Sequence, residues 1–171
     1  MIDEEIVDNY IRVHRIELDD IQPEPEIKSR PWKTLNHNYE EVDTESKNWF
    51  KSFLESRGQE VLISPEKYSP FDLVSTNRDQ KIYWELKTID CKSTKWPDVK
   101  IDAKKVDTLK SFGIPAYIVL FFEDRWTSVN VFDIDTKLER NRCNTTTAWK
   151  GSKILKNQYS IKHRDLEYLN Y

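Results

Sequence analysis

An α/β fold with a mixed central β-sheet flanked by helices is predicted by three observations. Two short runs, Pro70-Phe71-Asp72-Leu73-Val74-Ser75-Thr76 and Lys81-Ile82-Tyr83-Trp84-Glu85-Leu86-Lys87-Thr88, are rich in aromatic and β-branched residues. They flank a polar segment, Asn77-Arg78-Asp79-Gln80, and read as the arms of a β-hairpin. Residues 116–122 are apolar throughout, the pattern of a central strand covered on both faces. Helix-period segments lie on either side of these strands, giving the order α-β-β-β-α-β-β.

Taken in order, residues 1–31 read as an acidic N-terminal arm and linker, and 32–171 as the main domain. Ile2, Ile6, Tyr10 and Val13 suit a helix, which Gln22-Pro23-Glu24-Pro25-Glu26 cannot continue. A helix is expected over 43–57, capped by Asp43 or Thr44 and ended by Gly58. Its apolar stripe is Val42, Trp49, Phe50, Phe53 and Leu54; Glu45, four residues before Trp49, borders that stripe, with Glu41 the alternative one turn earlier. A strand over 59–64 leads into the hairpin. Residues 89–100, polar and containing Trp96-Pro97, read as a loop or lid. A second helix begins at Asp102, turns Ala103, Val106 and Leu109 inward, and stops at Gly113-Ile114-Pro115. Strand 116–122 turns through Glu123-Asp124-Arg125-Trp126 into a strand over 128–134. A short edge strand at Tyr159-Ser160-Ile161 and a helical turn over 166–171 close the chain.

Composition narrows the function. The chain has 171 residues, enough for one domain with a real core. Only 3 glycines occur, which argues against a glycine loop cradling phosphates. No stretch approaches the roughly 18–20 apolar residues of a membrane span, and the acidic N-terminus lacks a signal-peptide pattern. A soluble intracellular protein is expected. Cys91 and Cys143 are too few for a disulfide framework or a zinc knuckle. The net charge of −3 conceals an asymmetry: residues 1–45 carry 13 acidic and 5 basic side chains, the remainder 17 acidic and 22 basic. A local basic surface matters more to phosphate binding than total charge.

The hairpin carries the chemistry. A turn centred between Arg78 and Asp79 sets Asp72 directly across from Glu85, with Cβ atoms roughly 4.5–5.5 Å apart. Strand alternation puts Lys87 on the same face as Glu85. Acid-x-Lys occurs eight times in the chain, so the tripeptide alone carries nothing; only Glu85 sits in an apolar strand with an acid opposite. Two carboxylates and an ammonium on one sheet face point to a divalent-metal site and metal-dependent phosphodiester chemistry; the bland alternative is a cross-strand Asp72–Lys87 salt bridge.

With Pro70-Phe71-Asp72 and Glu85-Leu86-Lys87 following an entry helix and preceding a helix and an apolar strand, the stretch of about 40–135 resembles the PD-(D/E)XK, restriction-endonuclease-like nuclease superfamily. Phe71 between the Pro and the Asp departs from the usual motif. The resemblance implies a metal-dependent DNA endonuclease, with a homodimer as the form that cuts both strands. Asp72, Glu85 and the Leu86 backbone carbonyl would hold Mg²⁺ or Mn²⁺, Lys87 would orient the attacking water or act as a base, and Glu45 would act from the helix side. DNA is expected over RNA as partner. Lys104 and Lys105, at a helix start, would meet phosphate; Lys92 and Lys95, on the loop, extend the basic surface. Trp96 and Trp126 could stack on bases or cap the core. A protein that keeps this fold to bind nucleic acid without turnover is the other reading.

Overall fold

The computed structural model describes residues 29–33, 38–134, 138–144 and 153–171. Most of the acidic arm, residues 1–28, lies outside the described residues.

Helix α1 spans Tyr39–Glu55, a turn earlier than the sequence predicts. Asn38, not Asp43 or Thr44, caps it: its Oδ1 accepts from the Glu41 backbone N–H at 2.8 Å, and its amide donates to Glu41 Oε1 at 3.2 Å. Both bonds run through the Asn38 side chain, and they hold Glu41 at the helix start. Gly58, at φ +76°, ends the helical segment. Its left-handed backbone lets Gln59 N–H reach Leu54 O and Gly58 N–H reach Glu55 O, the Schellman pair.

Strands β1 (Glu60–Ile63), β2 (Leu73–Asn77) and β3 (Gln80–Thr88) form an antiparallel meander. The hairpin register is the one expected, with Leu73 opposite Trp84 and Asn77 opposite Gln80. Arg78 and Asp79 both have positive φ, 47° and 69°, the signature of the type I′ turn whose twist suits a two-residue hairpin. The chain then crosses over through β4 (Asp98–Asp102) and α2 (Ala103–Ser111) to β5 (Ala116–Phe121), which pairs with β3 in parallel. Strand β6 (Trp126–Asn130) follows, then a 3-10 turn over Val131–Asp133, so the strand expected to reach 134 is shorter.

The tail departs further from expectation. Strands β7 (Leu138–Asn144) and β8 (Lys153–Lys162) build a second sheet with β4, in which β8 is the middle strand rather than a short edge. Residues Tyr168–Leu169 form β9 at the edge of the first sheet, where a helical turn was expected. Its order is β1-β2-β3-β5-β6-β9.

Strand β5 explains the layering. Ile118 and Leu120 face a core with Val106 and Leu109 of α2 and Ile101 of β4. Val119 and Phe121 face a second core with Phe50 and Leu54 of α1, Trp84 and Trp126. The sheet is therefore covered on both faces, and the solid apolar run is the sequence trace of that. Arg30 locks the segment before α1 onto the end of this sheet, its buried guanidinium donating to the carbonyls of Trp32, Ile89 and Phe121.

Candidate active site

Where β2 begins, the chain positions its acids. The Asp72 backbone N–H donates to Trp84 O at 2.8 Å, so Asp72 and Leu73 both face Trp84 and the regular ladder ends there. Its Oδ2 accepts from Leu86 N–H at 2.7 Å, so the carboxylate lies beside Glu85. Backbone alternation along β3 accounts for this: Tyr83 and Ile89 donate toward β5, to Pro115 O and Phe121 O, which turns the even positions toward β2. Asp72 therefore meets β3 through its side chain at Leu86, taking the place of a backbone acceptor there.

Two lysines meet the two acids. Lys47, on the third turn of α1, places Nζ 3.0 Å from Asp72 Oδ1 and 2.7 Å from Asp43 Oδ2. Lys105, in the first turn of α2, places Nζ 2.6 Å from Glu85 Oε1. Glu85 Oε2 is buried without a hydrogen-bond partner. Burial, and next the Asp72 carboxylate, push the Glu85 pKa up to about 7, against the pull of Lys105 and Lys47. Burial would lower the Lys47 pKa, but the hydrogen bond it donates to Asp43 and the charge of Asp72 outweigh it and leave it raised.

Asp43, Glu85 and Lys105 line a cleft of about 780 Å³ between the start of α1, β3 and the start of α2, with Tyr39 and Tyr68 highly exposed on its wall. Asp72 and Lys47 lie just behind that lining, joined to it through Asp43 and Leu86. Of the residues singled out by sequence, Glu85, Leu86, Lys87, Lys104 and Lys105 line the cleft, and Asp72 reaches it through its bond from the Leu86 N–H without lining it. Glu45 does not belong there, and the expectation that it lies at the site is corrected. It is exposed on α1, whose cleft-facing positions are Tyr39, Val42, Asp43 and Ser46, and Asp43 stands where Glu45 was expected. Glu41 is exposed at the cap. Lys92 and Lys95 are exposed on the segment after β3 and are not among the described residues lining the cleft. Trp126 is buried in the core, and Trp96 is exposed.

Sequence reasoning missed Asp43 and Lys47. Their i, i+4 spacing on one helix face was a usable signal, masked by assigning Asp43 to the cap.

Among the described residues, no group of three His, Cys, Asp or Glu side chains converges at metal-ligand spacing. Carboxylate oxygen is what this region has for a cation: the unpartnered Oε2 of Glu85, with the Asp72 carboxylate beside it.

The double-covered mixed sheet, with two acids at the β2–β3 hairpin, defines a restriction-endonuclease-like fold. No protein-family model matches the chain, and no curated protein matches it. Eighteen solved chains do. One is Hjc, a Holliday junction resolvase from the archaeal hyperthermophile Archaeoglobus fulgidus, at 18% identity and a TM-score of 0.50. The match covers 75% of this chain and 91% of that one. At that identity the likeness shows the fold.

Proposed function

We propose that this chain is a divalent-metal-dependent nuclease that hydrolyses phosphodiester bonds within DNA. The observation that carries the reading is the pair Asp72 and Glu85, held side by side with one Glu85 oxygen buried and unpartnered. A buried carboxylate beside another acid is costly unless a cation or a proton compensates it. Glu85 is offered the proton by its raised pKa and a cation by its geometry. The donor set is all oxygen, which suits Mg²⁺ or Mn²⁺ with several waters retained, and not Zn²⁺. Asp72, Glu85 Oε2 and the Leu86 carbonyl would hold the ion. When bound, it supplies Lewis-acid polarisation of the phosphate and a more acidic water.

The chain's own groups do the rest. Lys87, which lines the cleft on the Glu85 face of β3, orients the attacking water and offsets charge growing on the phosphate. Lys104, near the start of α2 with its backbone N–H bonded to Asp102, presents charge to the DNA backbone from a helix N-terminus. Lys105 neutralises Glu85 before substrate arrives. A homodimer, with one active site for each strand, is the proposed form for double-strand cutting. Residues 32–171 form the catalytic domain and the acidic arm precedes it. Among the described residues, no helix is long and apolar enough to cross a membrane.

The test is nicking of supercoiled plasmid in Mg²⁺, Mn²⁺ or EDTA by wild type and Glu85→Ala. Metal-dependent nicking that vanishes in the variant is the expected outcome. An intact plasmid, together with intact single-stranded, branched and RNA substrates, would overturn the reading. The alternative, a nuclease fold kept for binding nucleic acid without turnover, draws on the two lysines that already neutralise both acids. It predicts nucleic-acid binding with no metal binding lost in Asp72→Ala.

A further inference from the structure

The two lysines at the acids are not equivalent. Lys105 touches one carboxylate, comes from the first turn of a helix, and has a side chain 38% exposed. Lys47 bridges two carboxylates, Asp43 and Asp72, with a side chain only 17% exposed. Its stem lies along α1 and its ammonium sits between an oxygen from the helix and an oxygen from the hairpin. A second ion held by Asp43 Oδ2 and Asp72 Oδ1 would lie between those same two oxygens. Mg²⁺ binds carboxylate oxygens at about 2.0–2.1 Å and keeps its waters, so it cannot share that gap with an ammonium.

We propose that Lys47 is a built-in cation that takes the place of a second metal ion, so that the site accepts a single divalent ion on Asp72 and Glu85. This rests on the metal-dependent nuclease reading above. Lys105, half-buried and singly bonded, would be the one to yield Glu85 to an ion; Lys47, more enclosed and doubly bonded, would stay. Asp72 then has one oxygen on the Lys47 ammonium, one on Leu86 N–H, and lone pairs left on both for the ion. Asp43 acts through Lys47 and does not touch the ion. Lys47 is a positioning residue: it fixes the Asp72 carboxylate and supplies the second positive charge of the site.

Counting bound Mn²⁺ tests this without reference to cleavage. The full chain is titrated with Mn²⁺ alone at pH 8, and free ion is followed by its paramagnetic resonance signal. Wild type is expected to take one ion per chain. Lys47→Gln, which frees both Asp43 and Asp72, is expected to take two. Asp43→Asn is expected to stay at one, with affinity within about threefold of wild type. Two ions in wild type would overturn the proposal, as would an unchanged count of one in folded Lys47→Gln. If Lys47→Gln does not fold, Asp43→Asn decides: a loss of tenfold or more in affinity makes Asp43 a ligand and overturns the assignment. No ion at all in wild type would instead overturn the nuclease reading on which the assignment rests.

Discussion

Glu85 keeps a carboxyl where burial and a neighbouring acid both oppose its charge, and its pKa is raised from 4.5 to about 7. Between those values the folded chain holds a proton that the unfolded chain has released. Stability without metal therefore falls as pH rises through that window, and stays low above it. The span corresponds to on the order of 3 kcal/mol. In EDTA, Glu85→Gln should exceed wild type in stability at pH 8 by up to that amount and converge with it near pH 4.5. Urea denaturation at the two pH values checks this, and an equal gap at both would count against it.

Among the elements, α1 and the β2–β3 hairpin each rest on one local device. Removing the Asn38 side chain in Asn38→Ala should cost about 1 kcal/mol in a denaturant titration, since it satisfies Glu41 N–H and receives no substitute. Asp79 holds a left-handed backbone at φ 69° without being glycine. Asp79→Gly should accordingly stabilise the protein, by about 0.5–1 kcal/mol after the entropy cost of glycine is deducted. An unchanged or lower denaturation midpoint would argue against strain at that turn. The same two elements mark what was legible in the sequence. The hairpin register from Leu73 to Gln80 could be read because its turn and both arms are contiguous. Asp72, expected directly across from Glu85, lies one step past that ladder, bonded to Trp84 and Leu86 on either side of Glu85. Spacing to Trp49 selects Glu45, and a cap at Asp43 sets that residue aside; with the helix starting at Tyr39, Asp43 is inside it and free to bond Lys47 one turn on. Strand β4 carries a clear alternation, Asp98-Val99-Lys100-Ile101, but its partner is β8, some 60 residues away; no local signal announces such a pairing.

For the whole molecule, the cleft depends on both faces of the sheet being filled. Trp32, buried against Trp49, Phe121 and Tyr171, belongs to the layer that seats α1 and hence Lys47. Trp32→Ala should cost about 3–5 kcal/mol, lowering the melting temperature and loosening the α1 side of the cleft together. A melting temperature within a degree of wild type would show that this layer is dispensable. The lysines of the site escaped sequence reasoning for the same large-scale reason: Lys47 and Lys105 reach the acids only after two helices pack on opposite sides of the sheet.

The hairpin that joins the acids is closed by a two-residue turn, whereas the lysines that neutralise them arrive by longer routes. Such a turn can close in microseconds, well before distant helices dock. On the way to the native state, Asp72 and Glu85 therefore meet while still unscreened, and their repulsion burdens the folding barrier more than the folded protein. Added salt should speed refolding at pH 8 and leave the unfolding rate nearly unchanged. The price of a ready-made cation site is thus a slower assembly, relieved by ions in solution before any ion is bound.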